Sequence, residues 1–442
     1  MSERQHDVVV IGAGVGGLVS GVRLVQAGLK PLIIEATDRI GGRFSTIEKD
    51  GFRIPTGAIA IELNGPWHET FEGLGIDADL RIPDPAVRVR IRGRDVTAGA
   101  PAWEFMIKRV TKSAAGIADA VRRAGPDEGA DDAGLTLEEW AKRYTRSKTV
   151  ASLFQALAAS MFTVNADEMS AHTFFSCLRK TGGYKTFGFA PQGNVGIAKA
   201  VAAAIEERGG EVRTEWTATM IEIEESEAVA VLAIDAAGAR HRLPACAVIS
   251  DIGPVNTAKL VADSPLATEF EKRVEGTQPT SMLALAFSTR EEILAGCPGM
   301  MNFTDTKRLC SMGNMTALCP ELAPEGRKLY DAYSVPRPSL GGEFDVDLER
   351  RLLEEDLAKV LPGFDDAETV LFKVMRGNEK PAMRCAPGKD PGVRTPVANL
   401  VDVGDGVKPD GTSGTTACAM TARIAVDALL EEPALSGGAA AA

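Results

Sequence analysis

The stretch Asp7-Val-Val-Val-Ile11-Gly12-Ala-Gly14-Val15-Gly16-Gly17 decides the fold. Asp7 to Ile11 is a short β-branched run that ends on glycine, and it reads as a buried parallel strand. Gly12 to Gly17 follows the spacing G-x-G-x-x-G. The first glycine permits a tight turn. The second lets the backbone approach a pyrophosphate, and the third lets helix and strand pack closely. Val15 and Gly16 fall where the positive end of the next helix would face the phosphates. Leu18 to Ala27 reads as that helix, ended by Gly28, and Pro31 to Glu35 as the second strand. Glu35 lies about 20 residues beyond the turn, where a carboxylate accepts hydrogen bonds from ribose hydroxyls and repels a 2′-phosphate.

The glycine motif alone does not separate NAD from FAD; the next segment does. Glu35-Ala36-Thr-Asp is followed at once by Arg39-Ile-Gly41-Gly42-Arg43. Two adjacent glycines let a second backbone turn approach the cofactor. Two arginines match phosphate oxygens with their forked donors.

With those residues in place, the sequence resembles the FAD-dependent amine oxidase and phytoene desaturase superfamily. That group includes protoporphyrinogen oxidases, monoamine and polyamine oxidases, and carotenoid desaturases and isomerases. The resemblance continues through Pro55-Thr-Gly57-Ala58, where the family has a turn beside the flavin. Pro191-Gln-Gly193-Asn194 resembles the segment that opens the second helix of the FAD domain. Glu206 to Ile221 resembles the strand pair whose backbone contacts the adenine, with Ala218 where the family usually has valine. Ala247 to Pro254 (AVISDIGP) resembles the run A-V-I/V-S-N-A-x-P. Asn399-Leu-Val-Asp-Val-Gly404-Asp405 resembles N-L-Y-L-x-G-D, in which the family's aspartate bonds the ribityl chain. Gly411-Thr412-Ser413-Gly414 then opens a helix whose positive end would face the flavin pyrimidine.

The resemblance implies an α/β protein: a Rossmann-like, discontinuous FAD-binding domain with an inserted α+β substrate domain. The FAD domain is expected to comprise residues 1-60, 190-275 and 386-433, and the substrate domain 61-189 and 276-385. Residues 434-442 are expected to be a disordered tail. Residues 61 to 184 read as a helical insertion, which the resemblance does not cover. Within it Trp103 to Arg123 and Leu137 to Met161 carry helical spacing, separated by the solvated loop Gly125–Gly134. Ser281 to Ser288 and Lys328 to Val335 read as strands. The resemblance implies non-covalent FAD, since Cys385 sits in AMRCAPG and not in the family's G-G-C-Y.

Composition excludes other classes. The chain has 442 residues, 45% hydrophobic and 25% charged, as expected of an ordinary soluble protein with two or three domains. Its net charge of −12 argues against a nucleic-acid partner. Seven cysteines without a C-x-x-C pair read as reduced thiols in the cytoplasm. Four scattered histidines offer no ligand spacing, so no metal is expected. The apolar run Val8 to Ser20 lacks the flanks of a secretory leader. No run approaches the roughly 20 apolar residues of a spanning helix, although peripheral membrane contact stays open.

Within the superfamily the desaturase-like branch fits better. Many amine oxidases place a lysine near flavin N5 on the strand that Ser281 to Ser288 resembles, and Val274 to Thr289 contains none. Four Tyr and four Trp are poor material for an aromatic amine cage. The expected activity is that of an FAD-dependent dehydrogenase or desaturase. It would take hydride from a hydrophobic or carbonyl-bearing small molecule, form a C=C bond, and pass electrons to oxygen or a quinone. The alternatives are an amine oxidase releasing hydrogen peroxide, and a flavin-binding isomerase or non-catalytic lipid-escort protein on the same scaffold. No catalytic acid or base is assigned. Tyr184 and Lys185 are the candidates, because they lie at the junction of insertion and FAD domain.

Overall fold

The computed structural model describes residues 6–97, 134–144, 146–181, 186–431 and 435. The expected helix Trp103 to Arg123, the loop after it up to residue 133, the candidates Tyr184 and Lys185, and residues 434 and 436–442 of the tail lie outside the described residues; Leu435 is buried in the core beside the parallel sheet, which corrects the expectation that it is disordered.

Five parallel strands form one sheet, in the order Leu400–Asp402, Ala247–Ser250, Val8–Ile11, Pro31–Ile34 and Glu211–Arg213. Every residue of Val8–Ile11, Pro31–Ile34 and Ala247–Ser250 is buried. A strand covered on both faces has no solvent side, which is why these runs are continuously apolar. Val8, Val10, Ile33 and Ile249 pack on the face covered by helices Val15–Gln26, Asn194–Glu206 and Gly414–Leu430. Val9, Ile11, Leu32 and Val248 point the other way, into a core with Ile221, Val231 and Phe270. There a three-stranded antiparallel sheet (Thr217–Glu224, Glu227–Ile234, Arg240–Pro244) and helix Ala267–Val274 cover them.

The register pairs Ile11 with both Ile34 and Ser250, and Ser250 with Asp402. The carboxyl ends of these strands therefore finish level. In an open α/β sheet that edge is where ligands bind.

The second sheet has seven strands, in the order Glu368–Met375, Met282–Thr289, Lys328–Ser334, Leu309–Asn314, Met300–Phe303, Val87–Ile91 and Arg94–Thr97. Residues 87–97 correct the expectation that 61–184 is helical. Their sequence, VRVRIRGRDVT, alternates apolar and polar residues with the period of a strand. Arg92 (φ +49°) and Gly93 (φ +74°) make the two-residue left-handed turn typical of a tight hairpin. Helices Leu137–Tyr144, Lys148–Phe162 and Ala171–Thr181 do form in the insertion, and Trp140, Phe162, Phe174 and Phe175 share one core there. No helix among the described residues is long and apolar enough to cross a membrane.

Candidate cofactor site

The site begins at the level edge of the parallel sheet. Gly12 adopts φ +101° and donates its N–H to the Ile34 carbonyl at 2.7 Å. A Cβ on Gly17 would lie 2.0 Å from the Gly12 carbonyl oxygen, so the helix can approach the strand only without a side chain there. The helix starts at Val15, three residues before the sequence suggested, which brings Gly16 and Gly17 into its first turn. The second glycine turn faces the first. Gly41 N–H donates to the Ala13 carbonyl at 2.7 Å, and a Cβ on Gly42 would stand 3.6 Å from Gly14 Cα.

Glu35 ties this edge together. Its Oε2 accepts from Ala13 N at 3.0 Å, and its Oε1 accepts from Thr37 N at 3.0 Å and Thr37 Oγ1 at 2.8 Å. Ala36 follows it beside the segment Glu215–Ala218, since Trp216 N–H donates to the Glu35 carbonyl at 2.9 Å. Ala218 pairs with Ala233 at an irregularity of its strand. Trp216, absent from the sequence reading, carries the Arg213 guanidinium 4.6 Å from its ring centre and the His241 ring at 4.3 Å.

Arg43 and Asp405, expected as separate cofactor contacts, bind each other. Arg43 Nη1 donates to Asp405 Oδ2 at 2.6 Å and Nη2 to Oδ1 at 2.5 Å. Burial pushes the Asp405 carboxyl upward, but Arg43, Lys408 and Arg384 outweigh it and hold it below the ordinary range. Arg39 makes only a long ion pair, Nη1 to Asp38 Oδ1 at 4.0 Å, and its Nε is buried with no hydrogen-bond partner among the described residues. The turn at Gly57 and Ala58 sits directly on Arg43, whose carbonyl accepts from Ala58 N at 2.9 Å. Thr412 and Ser413 are buried at the start of the last helix, which opens at Gly414. Thr416 in its first turn donates to the Glu62 carboxylate, and burial raises the Glu62 pKa.

Two charged groups here lie within quoted stretches, Asp251 in AVISDIGP and Arg384 in AMRCAPG, but were not expected at the site. Arg384 is largely enclosed; its N–H donates to Asp405 Oδ2 at 3.2 Å, and its Nε has no partner among the described residues. Burial and then Arg43 lower its guanidinium to about 10. Asp251 follows the strand Ala247–Ser250, and its Oδ2 accepts from Gly17 N at 2.9 Å. Burial lifts its carboxyl to about 7, against the opposing pull of the Gly17 N–H and Arg43.

On the other side of the Pro55–Ala58 turn the seven-stranded sheet supplies a polar trio. Tyr333 Oη donates to the Gly57 carbonyl at 2.7 Å. Lys373 Nζ donates to the Pro55 carbonyl and to Asp331 Oδ2, both at 2.8 Å. Asp331 is 0% exposed, and burial raises its pKa while Lys373 pulls it down.

The family model described as flavin containing amine oxidoreductase matches residues 15–430. The chain belongs to that family. Among the chain's relatives, the phytoene desaturase of Fusarium fujikuroi is 45% identical over 75 residues, which are 17% of this chain and 13% of that protein. The solved structure of an oxidoreductase from Methanosarcina mazei covers 95% of this chain and all of its own, with TM-score 0.84 and 24% identity. Cyclohexylamine oxidase from Brevibacterium oxydans covers 96% of this chain and 99% of its own, with TM-score 0.64 and 17% identity. At these identities the two structures share the fold.

FAD is the cofactor of this family, and this chain's own residues fit it. Cβ atoms on Gly14, Gly16 and Gly404 would fill the cradle at the helix N-terminus, standing 2.4, 2.5 and 2.6 Å from Asp251 carboxylate oxygens. That cradle offers a backbone donor, the Gly17 N–H, which an acidic side chain accepts at 2.9 Å. The unpartnered Arg39 and Arg384 Nε atoms add cationic donors at the same edge.

Proposed function

We propose that the protein is an FAD-dependent dehydrogenase or desaturase, which removes hydrogen from adjacent carbons of a hydrophobic or carbonyl-bearing small molecule and leaves a C=C bond. In this reading residues 1-60, 190-275 and 386-433 carry the cofactor, and 61-189 and 276-385 enclose the substrate.

One observation carries the reading: apart from Tyr333 and the mutually paired Lys373 and Asp331, the side chains around the Pro55–Ala58 turn are apolar. Ile54, Ile59, Phe189, Met282, Met315 and Met375 belong to a single cluster. Such a wall suits an uncharged substrate, since an ammonium would be stripped of water without a counter-charge. Lys373, one strand away from Met282–Thr289, is already engaged by Pro55 and Asp331. When bound, FAD supplies the hydride acceptor at N5, and oxygen or a quinone reoxidises it. The protein positions and shields. The facing glycine turns, with Arg39 and Arg384, would hold the diphosphate. The Arg43–Asp405 pair fixes the arginine loop, and the start of the last helix offers N–H donors to the flavin. The apolar cluster excludes water. Tyr184 and Lys185 are the residues we propose for the proton that leaves beside the hydride.

Anaerobic flavin bleaching decides the matter. Saturated ketones and isoprenoids, with porphyrinogens and amines beside them, would be added to the FAD-loaded chain. Bleaching by a ketone or isoprenoid, with the unsaturated product recovered, is the expected result. Bleaching by amines alone, with hydrogen peroxide on admitting air, would replace this reading with an amine oxidase. A flavin that no compound bleaches would favour the isomerase or escort reading.

A further inference from the structure

The Asp251 carboxylate stands where a diphosphate belongs. It takes the Gly17 N–H at 2.9 Å, within the first turn of the opening helix. It also fills the space left by the missing side chains of Gly14, Gly16 and Gly404. A cofactor diphosphate needs the same donors and the same space. Side chain and ligand therefore compete for one position, and both are anions.

The surrounding charges sharpen the conflict. From the loop after Glu35, Arg43 faces Asp251, but both prongs of its guanidinium bind Asp405. Arg384 faces it from the loop before the last strand, and also feels Asp405 and Glu35. Cys418 of the last helix is held neutral, its thiol pushed well up by burial and then by Asp405 and Asp251. Arg43, Lys408 and Arg384 all act on Asp405, and Arg43 is the one that pairs with it directly. Asp251 feels Arg43 and Arg384 but forms no ion pair among the described residues.

We propose that Asp251 is an internal anion that occupies the diphosphate cradle of the cofactor-free protein, and that FAD binds only as Asp251 takes up a proton and gives up that position. The proton comes from solvent, and the carboxylate becomes a neutral carboxylic acid. Two phosphate charges placed beside a carboxylate in a poorly solvated crevice favour its neutral form. Asp251 would then act as a positioning and gating residue for the cofactor, outside the chemistry on the substrate.

The test uses the full chain freed of flavin, titrated with FAD and followed by flavin fluorescence between about pH 6 and about pH 9. One linked proton makes binding weaker by up to about tenfold per pH unit on the alkaline side. The unaltered chain should show that slope. Asp251→Asn should show a flat profile and bind more tightly at the alkaline end. Titration calorimetry at about pH 8, in two buffers of different ionisation heat, should report uptake of close to one proton per FAD in the unaltered chain. It should report none in the variant. Parallel pH profiles, or no proton uptake by the unaltered chain, would overturn the proposal. The calorimetry needs no variant, so it decides the question even where Asp251→Asn fails to fold.

Discussion

Arg43 and Asp405 are 362 residues apart in sequence and meet as a two-pronged ion pair, 2.6 and 2.5 Å long. Each was expected to touch the cofactor on its own account. Bound together, they lock the arginine loop to the last strand of the parallel sheet. The shape of the site therefore depends on the pair before any ligand is considered.

Removing Arg43 should cost more than its own contacts. Asp405 is 3% exposed, and Arg43→Ala would leave it with the Arg384 N–H and no fork. We expect a loss of roughly 2–4 kcal/mol in urea unfolding, less than for a fully enclosed pair because a third of the Arg43 side chain is exposed. Arg43→Ala with Asp405→Asn should be less destabilised than Arg43→Ala alone. Equal losses would mean that the pair contributes nothing.

Gly14 and Gly17 should respond differently to alanine. At Gly17 the new Cβ meets backbone at 2.0 Å, and the expected cost is about 3 kcal/mol or more. At Gly14 it meets the Asp251 carboxylate, a side chain that can rotate away, and φ is an ordinary −73°. Gly14→Ala should thus melt close to the unaltered chain while losing FAD. Thermal melts and flavin content measured on both variants separate the two roles.

The cofactor-free chain should lose stability as pH rises. The Asp251 carboxyl is at about 7 when folded against an ordinary 3.8. A raised folded value means that the native state binds the proton more tightly. Its contribution is complete below about pH 4 and is lost as pH rises through about 7. Urea midpoints at about pH 5 and pH 8 should fall further apart in the unaltered chain than in Asp251→Asn. An identical difference in both would show that Asp251 does not titrate in this window.

Lys373→Met should strand Asp331, which is wholly buried and has an unpartnered Oδ1. The expected cost is about 3–5 kcal/mol. Lys373→Met with Asp331→Leu should recover much of it, because a hydrophobic replacement removes both desolvated charges. Tyr333→Phe, which forfeits the bond to Gly57, should cost about 1 kcal/mol. Denaturant unfolding of the three variants checks the order.

The parallel sheet and its glycine turns were legible because local sequence dictates them. A strand buried on both faces has to be apolar throughout, and a turn crowded as Gly12–Gly17 is has to lack side chains. The hairpin at 87–97 was equally legible by period, but its four arginines disguise it as a solvated stretch. Asp251 and Arg384 were hidden for a different reason. What they do depends on which strand ends finish level, and that is set by pairing across more than 200 residues. The same holds for Trp216, whose ring partners Arg213 and His241 come from different strands. Local spacing cannot express a partnership that only the assembled sheet creates.

The opening helix packs against the last one, and the strand Leu400–Asp402 closes the sheet edge beside Ala247–Ser250. This has a consequence for synthesis on the ribosome. A chain of the first 399 residues holds both glycine turns yet lacks Gly404, Asp405 and the helix that covers them. Cofactor loading is therefore expected to wait until the helix Gly414–Leu430 has been made, and a nascent chain halted before Leu400 should emerge colourless.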